Sequence, residues 1–454
     1  MPLLNRMFKK RKILSMSVKT FIKGAFILTL AGIITRCLGF FFKIYLSRII
    51  GSEGIGLYQL IMPLNAIGYA IGISGFEVAV SKLTAMHLAK KNSRSAYNTT
   101  LSALFYSLLT SIGCHIIITI NAEHIAKYAF GNPECAPLIK MLSLALPFSS
   151  IHCIVSSYCL GQEKTLFPGI SQFLEQLIRM GSVYFIIKIT KKTDASVGVI
   201  SLVVGEIGAT IISLTYMVFA SKKAGPFHLP TPLKSAREIF PTYFPVSGNR
   251  ILLYSLQSLE ILLLPKLLIR SGLNYNEALT VLGIISGMAI PLILFPATLS
   301  NSVALMLLPN VAKNRDNTKT LLKTGNSALI FSVLFGFACI IFFITIGGKF
   351  GAYCFKEPEL KNYILIMAWL CPFIFLSTTF KSILNALGKS TQVFANNMLS
   401  EILCIIFITV CIPLWGIRAY MFGLLINQII NALLQLRSYH SHMKKQLHTV
   451  NFSN

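Results

Sequence analysis

The sequence predicts an all-α integral membrane protein, with about twelve transmembrane helices in two pseudo-symmetric six-helix lobes and both termini cytoplasmic. Three observations carry this. Of 454 residues, 54% are hydrophobic and 12% charged, with a mean hydropathy of +0.69, a balance that no soluble domain of this size has. Basic clusters fall on alternate loops. The two halves of the chain resemble one another.

Spans are expected near 25–46, 56–78, 97–120, 138–160, 167–189, 196–219, 242–269, 278–308, 325–347, 362–387, 392–413 and 417–436. Windows such as 95–122, 324–348 and 419–436 carry no charge across a full crossing. Residues 1–20 form a basic N-terminal segment and 21–220 the first lobe. Residues 221–240 form a linker holding Pro226, Pro230 and Pro232. Residues 241–436 form the second lobe and 437–454 a polar, disordered tail. Prolines 245 and 265 in the seventh span, and 291 and 296 in the eighth, are expected to bend those helices.

Lys and Arg total 41 against 15 Asp and Glu, a net charge of +26. An excess of this size could indicate nucleic acid, but its distribution excludes that reading. The groups begin with Arg6, Lys9, Lys10, Arg11 and Lys12, then Lys82, Lys90, Lys91 and Arg94. Lys222, Lys223, Lys234 and Arg237 follow, then Lys313, Arg315, Lys319 and Lys323, and last Arg437, Lys444 and Lys445. Alternate loops thus hold about 23 cations against about 10 on the other face, which assigns the richer face to the cytoplasm. An even number of spans places both termini there as well. No cleavable signal peptide is expected, because the first apolar run is too long and lacks a small-x-small site.

The repeat is seen around Pro147 and Pro372. Each begins Pro-Phe and continues through an apolar run to Leu-Gly before a new span. Pro147/Pro372, Gly161/Gly388 and Glu175/Glu401 keep an offset of about 226 residues. In the last span of each half Glu206 matches Asn427. Parallel repeats of this kind belong to transporters with a midplane substrate site.

The ionisable residues expected within or at the ends of spans are Arg36, Lys43, Glu77, Lys82, Glu175, Arg179, Glu206, Arg250, Glu260, Lys266 and Glu401. A buried cation costs about 2.5–3.5 kcal/mol on insertion scales, so such residues mark substrate or ion pathways. Lys82 and Lys266, near span ends, can snorkel to the interface. Glu175 and Arg179 have the spacing of an i,i+4 pair. Arg36, Arg250 and Glu260 lie deeper and have no local partner in sequence. Arg36, Arg250 and Glu260 are therefore read as facing a cavity, and Lys43, two turns on from Arg36, extends a basic stripe that favours an anionic ligand. Asn397 and Glu401 share one helix face and offer a carbonyl and a carboxylate, a donor set for a hard cation or a proton. Asn427 and Asn249 could complete that shell.

Enzyme chemistry finds no support. There is no H-E-x-x-H, no G-x-S-x-G and no large outer loop. Gly51-Ser-Glu-Gly-Ile-Gly56 reads as a tight turn rather than a phosphate loop, since no strand precedes it. His440, His442 and His448 lie in the tail, where metal binding is not expected. The ten cysteines include no C-x-x-C pair and read as small core residues. Cys135 and Cys354 fall near predicted outer loops, but a disulfide between them is not expected, since sequence does not show their distance.

Residues 35–60, TRCLGFFFKIYLSRIIGSEGIGLYQL, closely resemble the first-span signature of the stage V sporulation protein B family. So do residues 258–309, with their SLE-x₄-P, GMA-x-PL and FP-x-x-L-x-N motifs. The resemblance runs from about residue 20 to 436. That family lies in the multidrug/oligosaccharidyl-lipid/polysaccharide (MOP) exporter superfamily, with the MATE drug antiporters. The resemblance implies two six-helix lobes that rock about a central cavity lined by the first, second, seventh and eighth spans; Arg36, Lys43, Arg250, Glu260 and Lys266 fall on the first and seventh and are its implied substrate residues. It implies alternating-access movement of a polyprenyl-diphosphate-linked saccharide, a lipid II-like peptidoglycan precursor for the spore cortex, across the bacterial cell membrane. A cation-coupled MATE-type multidrug exporter is the alternative. Partners are then the lipid-linked saccharide and membrane lipids, not nucleic acid, and a monomer is expected. No cofactor is expected beyond Na+ or H+ as coupling ion; some relatives carry a sodium site using an Asn and an acidic residue at the spacing of Asn397 and Glu401. One departure stands out. Gly75-Phe76-Glu77 occupies the place of an expected Gly-Ile-Pro, and the lost proline is expected to straighten that helix end.

Overall fold

The computed structural model describes residues 2–224, 232–298, 311 and 318–453, and side chains within 32–220, 235–298, 311, 318 and 320–446. The described residues are helical with short connections and include no strand. Nine segments among them are long and apolar enough to cross a membrane. They coincide with the third, fourth and sixth to twelfth expected spans.

Helix α1 covers Pro2–Tyr69 and breaks at Gly51, whose φ of 72° a side chain would resist. The expected turn after the first span is therefore one glycine wide. A π-helical turn, Ala70–Ser74, leads into α2, Gly75–Ala89. Helix α3, Ser93–His124, starts where the Asn92 side chain accepts the Ser95 N–H at 2.9 Å. Then come α4 (Cys135–Ser143), α5 (Ala145–Gly161), α6 (Leu166–Thr190) and α7 (Ala195–Ala224). Helix α8, Pro232–Arg270, is continuous through Pro245 and Pro265. Helix α9, Tyr275–Leu282, opens with a reciprocal capping box between Asn274 and Glu277. A π-helical stretch, Gly283–Ala289, joins it to α10, Ile290–Leu294. The rest are α11 (Thr318–Phe342), α12 (Gly348–Phe355), α13 (Leu360–Met367), α14 (Cys371–Ala386), α15 (Ser390–Trp415) and α16 (Ile417–Ser453).

The chain forms two compact units. Unit 1 holds 1–39, 64–192 and 196–251; unit 2 holds 40–63, 193–195 and 252–454. This partition differs from two lobes divided at the linker, because α1 and α8 each contribute to both units. The linker itself is helical at 221–224 and from residue 232, with 225–231 outside the described residues.

In unit 1, α3 packs on α2 and α5. Phe76 stacks on Tyr243 with ring centroids 4.1 Å apart, among buried Val80, Ile154, Tyr158 and Ile239. The Ser107 hydroxyl donates to the Gly72 carbonyl at 2.7 Å, satisfying a group that the π turn displaces. In unit 2, α14 packs on α11 and α16. Tyr439 is buried against Phe380, and its hydroxyl donates to the Leu321 carbonyl at 2.7 Å. The tail expected to be disordered is thus the end of a helix. Leu436, Tyr439 and Met443 form an apolar stripe at helical spacing that its polar composition hid. All ten cysteines are free, so Cys135 and Cys354 form no disulfide.

Candidate functional site

Unit 1 carries a charged cluster at the start of α2. Glu77 uses both carboxylate oxygens. Arg250 Nη1 donates to Oε1 at 2.9 Å, and the Tyr69 hydroxyl donates to Oε2 at 2.5 Å. Cys153 Sγ lies 3.6 Å from the same hydroxyl. Arg250, without a local partner in sequence, therefore has an ion-pair partner from another helix. Its side chain keeps 35% of its exposure and that of Glu77 keeps 21%. The helix end that Glu77 was expected to straighten contains the π turn instead. Tyr243 ties that turn down, its hydroxyl donating to the Ile71 carbonyl at 2.8 Å. Gly75 has room for no side chain, since a Cβ there would lie 2.7 Å from the Tyr243 carbonyl oxygen.

A second cluster in unit 1 joins α6 and α7. The Glu175–Arg179 pair forms as its spacing predicts, at 2.5 Å. The same guanidinium lies 3.7 Å from Glu206, which sequence spacing could not reveal. His152, buried on α5, lies 3.1 Å from Ser213 Oγ and 3.2 Å from Ser171 Oγ through Nδ1.

Unit 2 holds a buried acid pair. Glu260 on α8 and Glu401 on α15 are 7% and 9% exposed and lie within hydrogen-bonding reach of each other, and Tyr420 lies within reach of Glu260. Asn427 Nδ2 donates to Glu401 Oε2 at 3.2 Å. The Asn427 carbonyl oxygen is buried with no hydrogen-bond partner. Lys381 on α14 lies within electrostatic reach of Glu401. Asn397 does not join this group. Its carbonyl accepts from Asn431 at 3.1 Å and from Gln435 at 3.4 Å, in a seam of amides between α15 and α16 that Asn396 and Ser438 extend.

The remaining predicted residues are placed as follows. Arg36 is exposed in unit 1, and exposed Asn249 lies one residue before Arg250 in the same unit. Half-buried Lys43 and exposed Lys266 belong to unit 2. Sequence reasoning passed over Tyr69, Lys381 and Tyr420. Tyr420 sits three residues into the last span with no charge to flag it. Among the described residues no three His, Cys, Asp or Glu side chains gather as metal ligands.

The fold resembles that of solved MATE and MOP-superfamily transporters. A structure of a multidrug resistance MATE family transporter in an inward-facing conformation matches with TM-score 0.73 and 14% identity, over 91% of this chain and 96% of that one. A MOP superfamily transporter from Pyrococcus furiosus, described as having a binding pocket of reverse polarity, matches with TM-score 0.66 and 14% identity, over 94% and 96%. In sequence, the chain is 21% identical to stage V sporulation protein B of Bacillus subtilis over 431 residues, covering 92% of this chain and 83% of that protein. It is 23% identical to the lipid II flippase MurJ of the same organism over 322 residues, covering 64% and 58%. Residues 21–301, more than half of the chain, match the model of one family, and this multi-pass membrane protein belongs to it: the polysaccharide biosynthesis protein family.

Proposed function

We propose that this protein moves a polyprenyl-diphosphate-linked saccharide, a lipid II-like envelope precursor, from the inner to the outer leaflet of a bacterial cell membrane by alternating access. Membership in the polysaccharide biosynthesis protein family, on a transporter fold, is the observation that carries the reading. The chemistry of the candidate residues supports it. A diphosphate is anionic, and guanidinium groups bind phosphate oxygens through charge-assisted, often bidentate hydrogen bonds. Arg36 and Arg250 are the proposed diphosphate ligands, with Lys43 and Lys266 supplying further positive charge. The isoprenoid tail can stay in lipid while the headgroup crosses. This basic set disfavours the cationic drugs of a multidrug exporter.

The test is a leaflet-accessibility assay for the lipid-linked precursor, with and without the protein. Arg250→Ala and Arg36→Ala should each lower flipping about 10–100-fold, the size of a lost charge-assisted bond. Arg→Lys keeps the charge and loses the planar fork, so it should retain partial activity. Wild-type flipping by both Ala variants at normal expression would refute these assignments.

The proposed orientation places the C-terminal end of α16 in the cytoplasm, by the cation asymmetry. Ser441 is exposed on that helix. In a cysteine-free background, Ser441→Cys should label with a permeant maleimide and not with an impermeant one in intact cells. Labelling by the impermeant reagent would invert the topology.

A further inference from the structure

We infer that Glu77 is an internal competitor for the anionic substrate: it holds Arg250 paired in the unloaded protein and takes it back when the substrate leaves. This rests on the reading of Arg250 as a diphosphate ligand. Three features point to it. The carboxylate is held at two points of different kinds, Oε1 by Arg250 at 2.9 Å and Oε2 by the Tyr69 hydroxyl at 2.5 Å. When the guanidinium turns to another anion, Tyr69 still holds Glu77 in place, so the competitor stays within reach. Second, the backbone around the pair is fixed. Gly75 lets α2 approach α8 at Tyr243 and Ser247, and Tyr243 anchors the π turn that precedes Glu77. Third, the pair is partly open, with 35% of the Arg250 side chain exposed, so an incoming phosphate can reach the guanidinium.

The charge balance gives this arrangement its effect. With Glu77 in place the pair is neutral, and an arriving phosphate must displace a carboxylate. Without it the guanidinium offers a full positive charge to the ligand. A transporter that bound its anion to a bare guanidinium would hold it tightly and release it slowly. Binding that stays tight throughout the cycle slows release, and a returning carboxylate weakens the hold at the release step. Glu77 is a positioning residue, acting through Arg250 and not on the substrate.

The experiment uses the full-length protein in lipid nanodiscs, with farnesyl diphosphate as the probe, and measures its affinity in four backgrounds. Glu77→Gln keeps the shape of the side chain and a group for Tyr69 to bond. It should tighten binding about tenfold, a typical coupling between two interacting sites. Glu77→Ala, which removes the charge in a different shape, should also tighten it. Arg250→Ala should weaken binding, and adding Glu77→Gln to it should change nothing further. In flipping assays Glu77→Gln should lower both the KM and the maximal rate, a split that damaged packing does not produce. If Arg250→Ala weakens binding and neither Glu77 variant tightens it, the inference falls and the role of Arg250 stands. Tightening that persists in the Arg250→Ala background also overturns it. Wild-type affinity in Arg250→Ala removes both.

Discussion

A Gly283→Val substitution is expected to cost about 3 kcal/mol or more and to abolish the folded protein at normal growth temperature. Two backbones meet here within unit 2. A Cβ on Gly283 would collide with the Ser52 carbonyl oxygen, and one on Gly56 would collide with the Leu279 carbonyl oxygen. Both obstacles are main-chain atoms, which cannot rotate aside as a side chain does. Gly287, one turn on, leaves room for Ile55, and Gln59 Nε2 donates to the Ser286 carbonyl at 3.3 Å. Small residues four apart allow such close approach of helices in a membrane, where dispersion and polar contacts hold helices together. Even Gly283→Ala should force residues 52–63 away from 279–289. Gly113→Ala is the control, since nothing lies within 4 Å of its added Cβ. Thermal unfolding in detergent, followed by size-exclusion fluorescence, should rank valine below alanine below wild type. A Gly283→Ala protein as stable as the control would show that this contact is looser than described.

Much of the fold was legible because a bilayer imposes a simple code. Long uncharged runs and a turn at Gly51 can be read directly. Local pairs were legible too: Glu175 and Arg179 sit four apart, and a helix brings them together. Partners distant in the chain were not. Glu77 and Arg250 are 173 residues apart, and no periodicity connects them. Glu260 and Glu401 were each singled out as intramembrane charges, one for substrate and one for an ion, and only the fold joins them. Gly56 and Gly287 read as a turn and a motif residue and Gly283 went unnoticed, although the importance of all three lies in what packs against them. The helical end of α16 was hidden because its stripe of Leu436, Tyr439 and Met443 is thin among polar neighbours.

Glu401→Gln is expected to remove the cation or proton dependence of transport and to lower its rate about 10–100-fold, a usual range for coupling between sites. The expectation follows from charge counting in the acid cluster of unit 2. Glu260 and Glu401 bring two carboxyls, and Lys381 within reach of Glu401 brings one ammonium. With both acids ionised the cluster carries one uncompensated negative charge, which a single proton or monovalent cation balances. A buried unbalanced charge is costly, and that cost is the ground for expecting a proton or cation partner here. The unpartnered carbonyl oxygen of Asn427, beside Glu401, is a ready ligand for a hard cation. Replacing either acid by Gln leaves one carboxylate and one ammonium in the cluster, a net charge of zero with no demand for a further cation. Glu260→Gln should therefore act like Glu401→Gln, and the double variant should be no worse than either alone. Asn427→Leu removes a ligand and leaves the charge. It should weaken dependence on a metal cation and spare dependence on protons, which tells the two ions apart. Asn397→Leu should do neither, because its carbonyl is already occupied by Asn431 and Gln435. The measurement is precursor flipping in proteoliposomes across sodium concentrations and across pH, at matched protein content. If Glu401→Gln and Glu260→Gln keep the wild-type dependence on both ions, coupling does not run through this pair.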